Sequence, residues 1–211
     1  MKFKLPGIYP ITDVRISGLS HLEQVIRLID GGATLIQLRE KFQSPKDWFD
    51  DALAATEYAQ RHGCKVIIND RVDIALAVDA DGVHVGQTDM PPAAVRRLVG
   101  DKKIIGYSTH NEEQFAAALL EPVDHVAYGP IFGTSTKIDP DETTGTAKLA
   151  ALTAAANTMP VVVIGGISAE NLQMLNGRGI SSVAIISAIL SEPDKIAANF
   201  RKLSALFKQK C

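Results

Sequence analysis

The sequence predicts an α/β fold, a single-domain (β/α)8 TIM barrel over residues 1–211. Three observations predict it: eight short apolar runs recur along the chain, segments with helical spacing separate most of them, and no Pro/Gly/Ser-rich linker interrupts the alternation.

The runs are, in order, GIYPIT, ATLIQLRE, CKVIIND, DGVHVGQ, KKIIGYST, HVAYGPI, PVVVIGG and SVAIISA. Most are near-continuous Val, Ile and Leu, which marks strands covered on both faces, as in a parallel sheet. After the first run, Ser20-His21-Leu22-Glu23 has capping-box spacing ahead of Val25, Ile26, Leu28 and Ile29. After the second, Ser44-Pro45-Lys46-Asp47 puts proline at the first helical position. Ser191-Glu192-Pro193-Asp194 repeats that device before Phe200, Leu203 and Leu206. Helices are also expected over 92–99, 112–120, 147–157 and 169–176, with a short piece at 71–78. An open doubly wound sheet is the competing architecture, but it usually needs fewer strands.

A chain of 211 residues supports one well-buried core and is too short for two ordinary domains. Lys+Arg number 22 against 24 Asp+Glu, a net charge of -2, so no global field favours nucleic acid or an anionic membrane. No apolar run approaches the roughly 20 residues of a membrane span. The start, MKFKLPGIYP, lacks the apolar stretch and cleavage site of a secretory signal. Cys64 and Cys211 show no metal-ligand spacing and read as a small buried thiol and a tail residue.

Residues at the C-terminal ends of barrel strands share one face, where the active site of such a fold belongs. The second run ends Gln37-Leu38-Arg39-Glu40-Lys41, and strand alternation sends Gln37, Arg39 and Lys41 to one side. The bland alternative is a charged strand end meeting solvent. The third run delivers Asn69 and Asp70, and the loop after the fourth delivers Asp89. Two carboxylates on neighbouring strands can share one Mg2+, although each could instead cap the helix that follows. His84 is read as a hydrogen-bonded core residue. In Tyr107-Ser108-Thr109-His110, Ser108 could donate to a phosphate oxygen or serve a turn, and His110 could be a general base whose partner is not visible.

The loop GPIFGTSTK gathers Thr134, Thr136 and Lys137, groups suited to an anion. The last two runs end in Gly165-Gly166-Ile167 and Ile186-Ser187, where barrels often bind phosphate on backbone N–H groups; the glycine pair could also be only a turn. One face would then carry two anion sites. Arg39, Lys41, Lys137 and Mg2+ form one; Thr134, Thr136, Gly166 and the backbone of the eighth strand form the other. Such a pair suggests joining two phosphorylated fragments, with diphosphate as leaving group.

YPIT, QLREK, IIND, GVHVGQTD, GYSTH, GPIFGTSTK, VIGGI and AIISAI, spread in this order from Tyr9 to Ile189, together resemble the thiamine-phosphate synthase family. The resemblance implies a cytoplasmic transferase of thiamine biosynthesis with two small substrates: an aminopyrimidine bearing a CH2-diphosphate and a thiazole carrying an ethyl phosphate. It implies that the pyrimidine diphosphate lies along Gln37, Leu38, Arg39, Glu40 and Lys41 with Asn69, Ser108 and Lys137. Mg2+ would sit on Asp70 and Asp89. Thr134, Ser135, Thr136, Gly166, Ile186 and Ser187 would take the thiazole phosphate, and Arg39, Lys41, Ser108 and Lys137 would carry the chemistry. Two features depart from the family pattern: Gly133 replaces a frequent proline, and KIDPDETTG after Lys137 reads as a polar flap. The rivals are a thiazole tautomerase on the same fold and a non-catalytic thiazole or thiamine-phosphate sensor. Helix periodicity leaves a homo-oligomer open, and no nucleic-acid or membrane partner is expected.

Overall fold

The computed structural model describes residues 4–134, 136 and 141–207. Eight parallel strands close into a barrel in sequence order: β1 (Ile8–Thr12), β2 (Leu35–Leu38), β3 (Lys65–Asn69), β4 (Gly82–Val85), β5 (Ile104–Thr109), β6 (His125–Tyr128), β7 (Val161–Val163) and β8 (Ser182–Ile185). Closure comes from β8 pairing with β1, with Ile8 opposite Val183 and Pro10 opposite Ile185. Each strand lies within one of the eight apolar runs.

The continuous apolar character follows from two separate cores. Tyr9, Ile11, Leu35, Ile67, Ile104, Ala127, Val162 and Ala184 fill the barrel interior. The alternate residues, among them Ile8, Ile36, Leu38, Ile68, Val83 and Val126, pack outward with helix residues such as Val25, Trp48 and Phe115. With both faces dry, the strands are mainly apolar on both sides, and the polar exceptions, among them Gln37, His84 and His125, are themselves buried.

The described helices are α1 (Val14–Ser17), α2 (His21–Asp30), α3 (Pro45–Arg61), α4 (Val72–Ala77), α5 (Pro92–Val99), α6 (Glu112–Ala118), α7 (Leu149–Ala155), α8 (Ser187–Leu190) and α9 (Ile196–Leu206). The capping box at α2 forms in full, Ser20 accepting from the Glu23 N–H while the Glu23 carboxylate accepts from Ser20. Ser44 caps α3 through the Asp47 N–H, with Pro45 at the first position.

Three expectations need correction. The helix expected over 169–176 is a 3-10 turn at Leu172–Leu175. Asn171 is committed to the preceding loop, where its side chain accepts from the Ser168 N–H and donates to the Gly166 carbonyl, and Gly177 at φ 75° ends the segment. Ser191 does not cap the last helix, because its hydroxyl donates back to the Ser187 carbonyl at 2.8 Å; a 3-10 turn at Pro193–Lys195 precedes α9. Finally, β2 ends at Leu38, so strand alternation does not orient Arg39 or Lys41. The one-turn helices α1 and α8 carry no sequence pattern long enough to announce them.

Candidate active site

β1 ends at Thr12, and the next residue, Asp13, caps α1 by accepting from the Arg15 N–H. Its other carboxylate oxygen accepts from the Arg39 guanidinium at 2.5 Å. Arg39 is therefore held at the mouth by an ion pair across the β1–β2 gap. Gln37, one step down, points inward, and its amide donates to the Tyr9 hydroxyl at 3.1 Å. Leu38 packs outward in the core, leaving only its backbone at the mouth.

Asn69 closes β3 in a buried position, and Asp70 follows with φ 59°, a left-handed conformation that aspartate tolerates better than most residues. The turn brings the Asp70 carboxylate onto the Lys41 ammonium. Burial raises the Asp70 pKa; Lys41 pulls it down, and the neighbouring Asp89 carboxyl pushes it up again. Neither carboxylate serves the helix after it: the N-cap residues of α4 and α5 are Arg71 and Pro91, and neither helix has a side-chain cap. Asp89 instead accepts from the Gly86 N–H at 2.7 Å within its own loop. Two like charges held together with one ammonium between strand ends form a cation-hungry arrangement. Among the described residues no group of three or more His, Cys, Asp or Glu gathers as a metal cluster. A pair suffices for Mg2+, which keeps water and phosphate oxygens in its other positions, so this donor set fits it.

Ser108 projects from β5 and shares a 2.8 Å hydrogen bond with His84 Nε2. It does not cap the next helix, whose cap is Asn111. The Gln87 amide donates to the Ser108 carbonyl at 2.7 Å. His84 lies inside the barrel, and burial, opposed by the Asp89 charge, lowers its pKa to about 4, so it is neutral near pH 7. His125 sits beside it with ring centroids 5.5 Å apart. Gly106 makes room for both imidazoles, since a methyl group there would overlap the two rings. His110 directs Nδ1 to the Gly129 carbonyl oxygen at 2.8 Å, with an Asp141 oxygen 3.4 Å away; that aspartate is the partner sequence did not reveal.

On the opposite side of the mouth the chain after β6 runs beside the chain after β7, with the Ile131 and Phe132 N–H groups donating to the Ile164 and Gly165 carbonyls. Gly166 has φ 59°, and a Cβ there would collide with the Gly133 carbonyl, so both conformation and space require glycine. Gly133, Thr134, Gly166, Ile167, Ser187 and Ala188 border an open cavity of about 390 Å3. Ile186 precedes the first turn of α8, Ser187 is exposed at its start, and the Thr136 N–H donates to the Thr134 hydroxyl at 3.3 Å. Ser135, Lys137 and the first part of the expected flap lie outside the described residues. The flap's end is tied down, the Thr144 and Gly145 N–H groups donating to the Pro130 and Ile131 carbonyls.

Sequence reading missed Asp13, although the strand-end rule that found Asp70 applies equally to the residue after Thr12. It also missed the bond from His84 to Ser108, for which strand alternation placing His84 inward was the available signal.

A closed parallel barrel with cations, paired carboxylates and a glycine-lined cleft at the C-terminal ends of its strands has the build of a (β/α)8 enzyme acting on anionic substrates. The comparisons narrow the class. The family model described as thiamine monophosphate synthase matches residues 8–189. A thiamine-phosphate synthase of Desulfitobacterium hafniense is 43% identical over 193 residues, covering 91% of this chain and 93% of that one. Another, of Ruminiclostridium cellulolyticum, is 40% identical with both chains covered in full. The solved thiamine phosphate pyrophosphorylase of Pyrococcus furiosus superposes with a TM-score of 0.84 at 30% identity, over 95% of this chain and 94% of that one. A 2-keto-3-deoxy-6-phospho-gluconate aldolase from Zymomonas mobilis, at 17% identity and a TM-score of 0.70, shares the fold alone. The chain belongs to the thiamine monophosphate synthase family, whose members are transferases. No helix among the described residues is long and apolar enough to cross a membrane.

Proposed function

We propose that this enzyme condenses an aminopyrimidine carrying a CH2-diphosphate with a thiazole ethyl phosphate, giving thiamine phosphate and free diphosphate. The observation that carries the proposal is the meeting of Arg39, Lys41, Asp70 and Asp89 at one mouth of the barrel, opposite the Gly166–Ser187 cleft.

In this reading the methylene C–O bond breaks with its electron pair leaving on diphosphate, and the thiazole nitrogen forms the new C–N bond to the same carbon. The charge that develops is on the departing oxygens, so donors aimed there lower the barrier. Arg39 has further guanidinium N–H groups beyond the one given to Asp13, and these would be its donors to diphosphate. A polyanion outcompetes the single Asp70 carboxylate for Lys41, which turns to the leaving group. Lys137 adds a third cation and Ser108 a hydroxyl donor. Asp70 and Asp89 would hold Mg2+, which when bound supplies neutralising charge at the diphosphate. The thiazole phosphate rests on backbone N–H groups around Gly166, Ile186 and Ser187 with the hydroxyls of Thr134, Ser135 and Thr136. No protein nucleophile takes part; positioning and electrostatics suffice.

The test is turnover with both substrates and Mg2+. The proposal expects thiamine phosphate and diphosphate in equal amounts. Interconversion of thiazole isomers with the pyrimidine untouched would mean an isomerase, and binding with no product would mean a sensor.

A further inference from the structure

Glu40 lies between the two cations assigned to the leaving group, yet it is itself an anion and would repel a diphosphate. Its carboxylate is turned away from the mouth, with only 6% of the side chain exposed. One oxygen accepts three successive backbone N–H groups, from Lys41 at 2.7 Å, Phe42 at 2.5 Å and Gln43 at 3.1 Å. The other faces His21 Nε2 at 3.4 Å. His21 is fully buried on α2, its ring packs on Trp48 with centroids 4.8 Å apart, and its Nδ1 lies 2.6 Å from the Thr12 hydroxyl. Thr12 in turn accepts from the Arg39 N–H at 3.3 Å.

A carboxylate can only accept, so Nε2 of His21 donates toward Glu40, while Nδ1 shares the 2.6 Å hydrogen bond with the Thr12 hydroxyl. The result is one continuous run from Thr12 at the end of β1, through His21 and Glu40, into the backbone that follows β2. It grips that backbone at Arg39, Lys41, Phe42 and Gln43. We infer that His21 and Glu40 are positioning residues: they form a clasp that fixes the loop carrying Arg39 and Lys41 in the geometry that receives diphosphate. Without the clasp, a chain that has already left β2 has no ladder to hold it. Hydrogen bonds to the anion outweigh the cost of its burial and hold the Glu40 pKa at about 2, so the clasp stays charged throughout the neutral range.

This inference rests on the reading of Arg39 and Lys41 as diphosphate ligands, and the experiment separates the two. Inorganic diphosphate with Mg2+ is titrated calorimetrically into the full-length protein and its variants, and KM is measured for each substrate. Glu40→Gln and His21→Leu are expected to weaken diphosphate binding and raise the pyrimidine KM about tenfold, the worth of a charge-assisted hydrogen bond. KM for the thiazole phosphate stays within about twofold, because a local positioning effect does not cross the mouth. His21→Gln, whose amide can still donate to Glu40, retains most of the affinity. The double variant His21→Leu with Glu40→Gln is no worse than Glu40→Gln alone, as expected for one connected unit. Equal losses for both substrates, or lowered thermal stability with diphosphate affinity unchanged, would reduce the clasp to a general brace of the fold and overturn the inference. Arg39→Ala is the control: unchanged diphosphate affinity in that variant would remove the diphosphate site from this loop and the clasp's role with it, whereas loss there with intact His21→Leu and Glu40→Gln would sink the clasp alone.

Discussion

Asp70 combines a left-handed backbone with a partly buried carboxylate next to a second one, and each feature would be costly without a purpose at the mouth. Because its pKa is raised, the folded environment disfavours the charged form, and stability gained from Asp70 grows as the pH falls through that pKa. Asp70→Asn keeps the backbone preference and removes the charge. The variant is expected to melt no lower than the parent near pH 7, yet to need roughly tenfold more Mg2+ for half-maximal turnover, as removing a metal-site carboxylate commonly does. Unchanged metal dependence would count against the assigned ligand. Glu40 behaves in the opposite sense. Its folded pKa of about 2 lies below the usual carboxylate value of about 4.3, so its contribution is complete above that value and fades as the pH drops toward 2. The melting difference between parent and Glu40→Gln should therefore shrink steadily between about pH 5 and pH 2.5, measured by calorimetry.

At the scale of elements, the glycines report where strands and loops come closest. Gly166 holds φ 59° against the Gly133 carbonyl, so Gly166→Ala carries backbone strain of about 1–2 kcal/mol in addition to the collision. It is expected to raise KM for the thiazole phosphate while the pyrimidine KM stays put, which steady-state kinetics with each substrate varied in turn will show. The strands were legible because burial on both faces writes a continuous apolar run, and α2 and α3 because their caps are local. The 3-10 turn at Leu172–Leu175 was not, since its four residues are shorter than a helical period can reveal, and Asn171 was already spent on the loop before it. Asp70 and Asp89 could be picked out by their place just beyond apolar runs. The partners of Arg39, Glu40 and Ser108 could not, because Asp13, His21 and His84 lie 26, 19 and 24 residues away and meet them only when the barrel closes.

For the whole molecule, closure makes the two halves of the mouth one rigid frame: β1 to β4 and their loops carry Arg39, Lys41, Asp70 and Asp89, and β6 to β8 carry the glycine-lined cleft. The joining of two substrates needs both halves at a fixed separation, which an uninterrupted barrel supplies. The interior and exterior cores share the same strands, so neither can melt alone. Trp48, the sole tryptophan, is buried between α3 and the barrel and reports on the outer layer. Its fluorescence and the far-ultraviolet circular dichroism are expected to follow one coincident denaturant transition; separated midpoints would contradict a single cooperative core.

The most direct measurement is a crystal structure of the protein with Mg2+ and inorganic diphosphate. The account predicts diphosphate against Arg39 and Lys41, with Mg2+ at roughly 2.0–2.1 Å from oxygens of Asp70 and Asp89. Diphosphate seated only in the Gly166–Ser187 cleft, or a metal bound away from both aspartates, would contradict it.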